Sequence, residues 1–239
     1  MLLLLLLWQA AAIRVAGPML PGPVEVAGAA WQLAVGGELL PDFARTLGRA
    51  AVAFAVAMLG GTWLGLLLGR VRLLDQLFSS WVLVALNMPA IIIGILVYIW
   101  LGLTDFALVL AVVLSKAPLV ITSVRQGVVS MRAEFDELAA ALDLPAPARL
   151  RVVLLPQLVP YLLAAGRNGL ALVWKLVLVF EVLGSDGGVG FRIAIFFQRF
   201  DVAAILAYAA CFILIVLAVE ALLLTPLERH LLKWQPPRP

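Results

Sequence analysis

Two groups of side chains in this sequence have types and spacings that could do chemistry. The first is the stretch Arg125–Arg151, RQGVVSMRAEFDELAAALDLPAPARLR, where charge crowds an otherwise apolar chain before VVLLPQLVP. The second is a scatter of polar or aromatic residues inside apolar runs: Asn87, Lys116, Arg167, Trp174, Lys175 and Glu181. Neither group is a catalytic constellation. An intramembrane enzyme needs clustered Ser and His, paired Asp, or metal ligands gathered at one depth. A single histidine, His230, and a single cysteine, Cys211, make neither an ordinary zinc site nor an intrachain disulfide. The chemistry left is ionic: the first group can meet a partner in water, and the second can hold charge where lipid does not reach.

The elements that must carry these residues follow from composition. Of 239 residues, 64% are hydrophobic and 13% charged, against about 25% charged in a soluble domain. The chain therefore reads as an all-α integral membrane protein. Its longest polar stretches fall below the roughly 40 residues that fold alone, so no catalytic domain is fused to it. A helical crossing takes about 20 apolar residues. Leu2–Val15 reads as a short first span, with a signal-peptide core as the alternative. Pro18–Pro41 reads as an outer interfacial elbow. Further spans are expected over Arg45–Leu68, over Leu77–Leu101 with a kink at Asn87-Met88-Pro89, and over Phe106–Ile121, Tyr161–Phe180 and Val202–Leu224. Gly102–Asp105 reads as a tight turn and Ser185–Asp201 as a polar loop. Gly61, Gly65 and Gly69 place small residues on one helix face, where another helix can approach closely. Nine Lys and Arg residues, from Arg70 to Arg238, collect on one side, and five, including Arg45, Arg49 and Arg192, on the other. That bias puts the charged stretch and the C-terminus in the cytoplasm.

Within the stretch, EFDELAAAL (Glu134–Leu142) favours a helix with its acids in the first turn. Phe135, Leu138 and Leu142 share a face, and Pro145 and Pro147 end the helix. Its apolar stripe can lie on the membrane, pack on its own bundle or dock into a cytoplasmic partner. The acids beside it disfavour an anionic leaflet, so docking is the preferred reading. Among the buried candidates, Lys175 reads either as lining a path or as snorkelling or pairing with Glu181, although the two lie six residues apart. Lys116 reads as a snorkeller or a path residue, Arg167 as bonded to nearby carbonyls or phosphates, and Asn87 as a cap of the broken helix or a path residue.

Glu137-Leu138-Ala139, Asp143 and Val153-Leu154-Leu155-Pro156 resemble the cytoplasmic signature of ABC importer permeases: Glu-Ala-Ala, three residues, Gly, nine residues, Ile, any residue, Leu-Pro. The spacing matches throughout, with Leu138 for Ala and Asp143 for Gly as departures. Asp tolerates the positive φ that glycine would supply better than most residues do. The resemblance covers roughly Asp42–Trp234. It is nearest to the branch importing nitrate, sulfonates such as taurine, bicarbonate or pyrimidine precursors, on PGPVEV, Asn-Met-Pro with a later Trp-x-Gly, and WKLVLVFEVLGSDGGVGF.

The resemblance implies a multi-pass protein of the bacterial inner membrane with about six spans, five of them in the core that the family shares. Residues 1–41 would hold the first helix and elbow, 42–226 the permease domain with a coupling helix near 133–144, and 227–239 a cytoplasmic tail. Glu134, Phe135, Glu137, Leu138, Ala139, Leu142, Asp143 and Pro156 would couple to the ATPase. Asn87, Lys116, Trp174, Lys175 and Glu181 are the candidates for the solute path. Implied partners are two cytoplasmic ABC ATPases, a second permease copy in a homodimer, an outer solute-binding protein and the bilayer, with no nucleic acid. ATP and Mg would be bound by the ATPase, since this chain has no GxxxxGK[ST] loop and no metal site of its own. The solute expected is a small anion; a pyrimidine or thiamine precursor or an aromatic acid is the alternative. An ATPase-independent channel or scaffold is the remote one.

Overall fold

The computed structural model describes residues 2–15, 17, 19–131, 134, 137, 139, 141–226 and 230. Phe135 and Leu138, parts of the proposed coupling helix, and all of the 227–239 tail except His230 lie outside them. The described residues form helices α1 (Leu2–Val15), α2 (Pro23–Val35), α3 (Leu39–Arg70), α4 (Arg72–Asn87), α5 (Ala90–Leu101) and α6 (Asp105–Val129). A short helix, Ala146–Arg149, and a π-turn, Leu150–Leu154, then lead into α7 (Leu155–Leu183). After it come α8 (Val189–Gln198) and α9 (Val202–Val219), the last continuing as a π-turn through Leu224.

Among the described residues, four helical stretches are long and apolar enough to cross a membrane: Leu39–Arg70, Asp105–Val129, Pro147–Leu183 and Val202–Leu224. The pair α4–α5 makes a fifth if it counts as one span. The expected sixth falls short: α1 has 14 residues, about 21 Å against a hydrocarbon core of about 30 Å. One other expectation is filled in and two need correction. The elbow is mostly helix, because Pro23 opens α2 at a position where a missing N–H costs nothing and Glu25 sits in its first turn. Ser185–Asp201 is not all loop, because the apolar sequence between Val189 and Phe197 winds α8 onto the bundle. Arg125 is not outside the fourth span: α6 runs on to Val129, and Arg125 pairs with Asp75 of α4, its Nη2 2.7 Å from Oδ2.

The kink at Asn87–Pro89 is a break of 98°. The cause is local. Pro89 has no N–H to donate, and it forces the residue before it out of helical space. Met88 (ψ 128°) and Pro89 (ψ 124°) are both extended, and two such residues turn the chain. Asn87 Nδ2 donates to Leu83 O at 2.8 Å, beside the broken end.

The glycine face finds its partner in α6. A methyl group built on Gly61 would stand 2.7 Å from Val120 Cβ, on Gly65 2.8 Å from Val124 Cβ, and on Gly69 2.6 Å from Val128 Cβ. The helices touch backbone to side chain at three successive turns. The main core lies among α3, α5, α6, α7, α8 and α9. There Tyr98 donates to Phe180 O at 3.0 Å, and Trp174 packs edge-on against Phe212.

Gly61→Leu is expected to cost about 1–3 kcal/mol, read as a lower melting temperature in detergent. Gly60→Leu, at a neighbouring position with open space around it, should leave melting unchanged. Equal effects at both would contradict this packing.

Candidate functional site

The functional candidates separate into three places: the outer end of the bundle, the interior and exposed face of α7, and the segment before α7 (inner and outer being those of the charge bias).

At the outer end, Asp42, Thr46 and Arg49 stand at i, i+4 and i+7 on α3 and so share one face. All three are buried. Arg49 Nε bonds Asp105 at the start of α6 at 2.8 Å, and its Nη2 also contacts that carboxylate. Nη1 reaches Glu181 Oε1 of α7 at 2.8 Å and Gly187 O at 2.6 Å. Thr46 Oγ1 lies 2.9 and 3.0 Å from the two Glu181 oxygens and accepts from Val189 N at 2.9 Å. Gly190 N donates to Glu181 Oε2 at 2.8 Å. Asp42 accepts from Tyr208 Oη at 3.0 Å and Arg192 Nε at 2.9 Å. Gly188, at φ 105°, adopts a left-handed backbone open to few residues but glycine, and this turns the chain back over the Glu181 carboxylate. The Gly187–Gly190 run is thus a turn wrapped around a buried carboxylate. Glu181 is no partner of Lys175; its cation is Arg49. The polar stripe Asp42-Thr46-Arg49 on an apolar helix was the signal that would have found this network.

In the interior, Lys116 is fully buried and does not snorkel. Its Nζ donates to Ala165 O of α7 at 2.9 Å and lies 5.6 Å from the centre of the Phe54 ring of α3. It fits because Gly169 has no side chain; a methyl group there would coincide with the ammonium. Trp174 is likewise in the core. Lys175 is different. Ala164, Asn168, Ala171, Lys175, Val179 and Val182 are exposed and follow one another at three- or four-residue steps along α7. This face carries an amide and an ammonium inside an apolar helix. Arg167, beside it, reaches Glu220 of the last helix at 3.1 Å. Asn87 is exposed elsewhere, at the α4 break.

Before α7, Glu134, Glu137, Ala139 and Ala141 are helical, with both acids exposed and Ala139 buried. The helix ends in a left-handed residue, Asp143 at φ 46°. Leu144 N bonds Ala139 O at 3.0 Å across the turn, the six-to-one bond of a Schellman cap. Asp143 thus takes the conformation for which glycine is usual. Leu142 is exposed at this end, and Pro156 occupies the first turn of α7.

The family model described as binding-protein-dependent transport system inner membrane component matches residues 57–225. The riboflavin transport system permease of Chloroflexus aurantiacus is 31% identical, over 98% of this chain and 88% of its own length. The taurine transport system permease of Escherichia coli (strain K12) is 25% identical, over 97% and 86%. A chain of the MetNI methionine ABC transporter, in an inward-facing conformation, shares the fold with a TM-score of 0.70 at 18% identity, over 82% of this chain and 97% of that one.

Removing one partner of a buried ion pair strands the other, at a cost of about 3–5 kcal/mol. Arg49→Met is expected to lose that much stability, measured by thermal unfolding in detergent. Adding Glu181→Met in the same chain should recover part of it. A double variant no more stable than Arg49→Met alone would show that the Arg49–Glu181 contact does not carry this stability.

Proposed function

Since the chain belongs to the family of binding-protein-dependent transport system inner membrane components, we propose that it forms half of a path for a small anionic solute, gated by a separate ATPase. As a permease component of an ABC importer it resides in the inner membrane. The observation that carries the path reading is the exposed face of α7. A lysine at the centre of a spanning helix costs about 2.5–3.5 kcal/mol if it meets lipid. Lys175, eight residues inside the outer end of α7 and with Asn168 two turns away, is most favourable against water or another polypeptide. A second copy of the chain placed against this face would enclose a cationic passage. That suits a sulfonate of the kind the taurine permease's name specifies. The riboflavin permease favours a second reading, an aromatic heterocycle. Trp174 offers it no stacking surface, because that ring is packed against Phe212.

The cytoplasmic end fits coupling. Glu134, Glu137 and Leu142 are exposed on the capped segment, available to a groove in each of two cytoplasmic ABC ATPases. Those subunits would bind ATP and Mg. An outer solute-binding protein would deliver solute at the end closed by Arg49.

Lys175→Met should lower uptake in reconstituted vesicles about tenfold, on the scale of a lost charge-assisted contact of about 1.5–3 kcal/mol. Association with the ATPase should be intact. Unchanged uptake would sink the path reading. For the coupling segment, Asp143→Gly should preserve or improve uptake by removing left-handed strain of about 1–2 kcal/mol. Asp143→Val should weaken both ATPase co-purification and uptake. Full activity of the valine variant would refute the role given to this cap.

A further inference from the structure

Helix α2 lies along only the outer part of α9, and an apolar groove of about 630 Å³ opens between them. Its position sets what can fill it. On α9 the lining runs from Leu206 to Leu214, about 6 to 18 Å below the outer end of that helix at 1.5 Å per residue. This is the depth of the outer leaflet, whose hydrocarbon is about 15 Å thick, half of the full core. On α2 the lining runs from Ala34 down to Pro23, about 16 Å by the same rise. At that level Trp8 lines the groove, its Nε1 committed to Pro21 O at 3.1 Å. Alanines at 27, 30, 209 and 210 keep it open.

A channel only one leaflet long is the wrong shape for a spanning helix of a partner, which needs about 30 Å of continuous face. It is the right length for an acyl chain. The outer mouth adds charge complementarity. Leu39 lines the groove, and its neighbour Glu38 pairs with Arg192 at 3.4 Å. A carboxylate and a guanidinium at headgroup level match an ammonium and a phosphate. We propose that this groove is a binding site for one phospholipid of the outer leaflet, its acyl chain between α2 and α9 and its zwitterionic headgroup at Glu38 and Arg192.

The test uses the full chain in vesicles of phosphatidylethanolamine and phosphatidylglycerol containing a phosphatidylethanolamine with a diazirine in its tail. After illumination, adducts are mapped by peptide mass spectrometry. In the unmodified protein, adducts on the 23–35 and 205–214 peptides should exceed by about tenfold, the ratio for about 1.4 kcal/mol of preference, those on the exposed α4 face around Leu83 and Val84. That comparison needs no variant. Ala30→Trp with Ala210→Trp, which fills the groove, should bring the groove adducts down to the α4 level and leave the α4 adducts unchanged. Groove labelling no higher than at α4, persistence of groove adducts in the filled variant, or cross-links joining two copies through these peptides would each overturn the proposal.

Discussion

One guanidinium closes the outer end of this bundle. Arg49 bonds the first residue of α6, the buried carboxylate of α7 and the carbonyl of Gly187 at once. A buried charge is tolerated only with its donors and acceptors satisfied, and here the arginine fork supplies that geometry. Without it, Glu181 would hold a charge in an apolar core, with only Thr46 and a backbone amide for company. The turn after α7, the seating of α8 and the register of α3 against α7 all refer to this point. α7 is a 29-residue helix, so one end is fixed by the arginine while the other begins beside the capped segment.

Much of this fold is legible in the chain because membrane crossing and close helix approach leave strong patterns. Apolar length marked the main spans, the Gly61-Gly65-Gly69 row marked a contact face, and Asn-Met-Pro marked a break. The size of that break was not legible. It depends on Met88 and Pro89 both being extended, a backbone choice that composition does not reveal. α1 looked like a span from leucine density, but its helix is too short. The site was less readable. Glu181 and Lys175 share a helix, yet the partners of Glu181 lie on other elements, and spacing along one helix carries no information about those. Lys116 seemed a snorkeller because lysines near span ends often are. Its burial depends on the vacancy at Gly169, on another helix 53 residues away in sequence. At Asp143 the residue type departed from the usual glycine while the backbone conformation did not.

The charges sort by what surrounds them rather than by depth. Arg49 and Lys116 are enclosed, one by carboxylates and the other by a carbonyl and an aromatic face. Lys175 is turned outward on a helix that otherwise exposes small or aliphatic residues, one asparagine and Arg167, which pairs with Glu220. The enclosed charges hold the protomer together; the outward one is a property of its boundary.

The slot at Gly169 has a mechanical consequence. Lys116 projects from α6 into the space that a side chain on α7 would occupy, over a ring supplied by α3. It acts as a key in a keyway, resisting sliding of the three helices past one another, as the glycine–valine interlock of α3 and α6 does along its own line. A block so keyed transmits force without deforming. Strain applied at one end must then be relieved at a joint outside it, the extended residues 88–89 between α4 and α5, and this sets where the molecule is compliant.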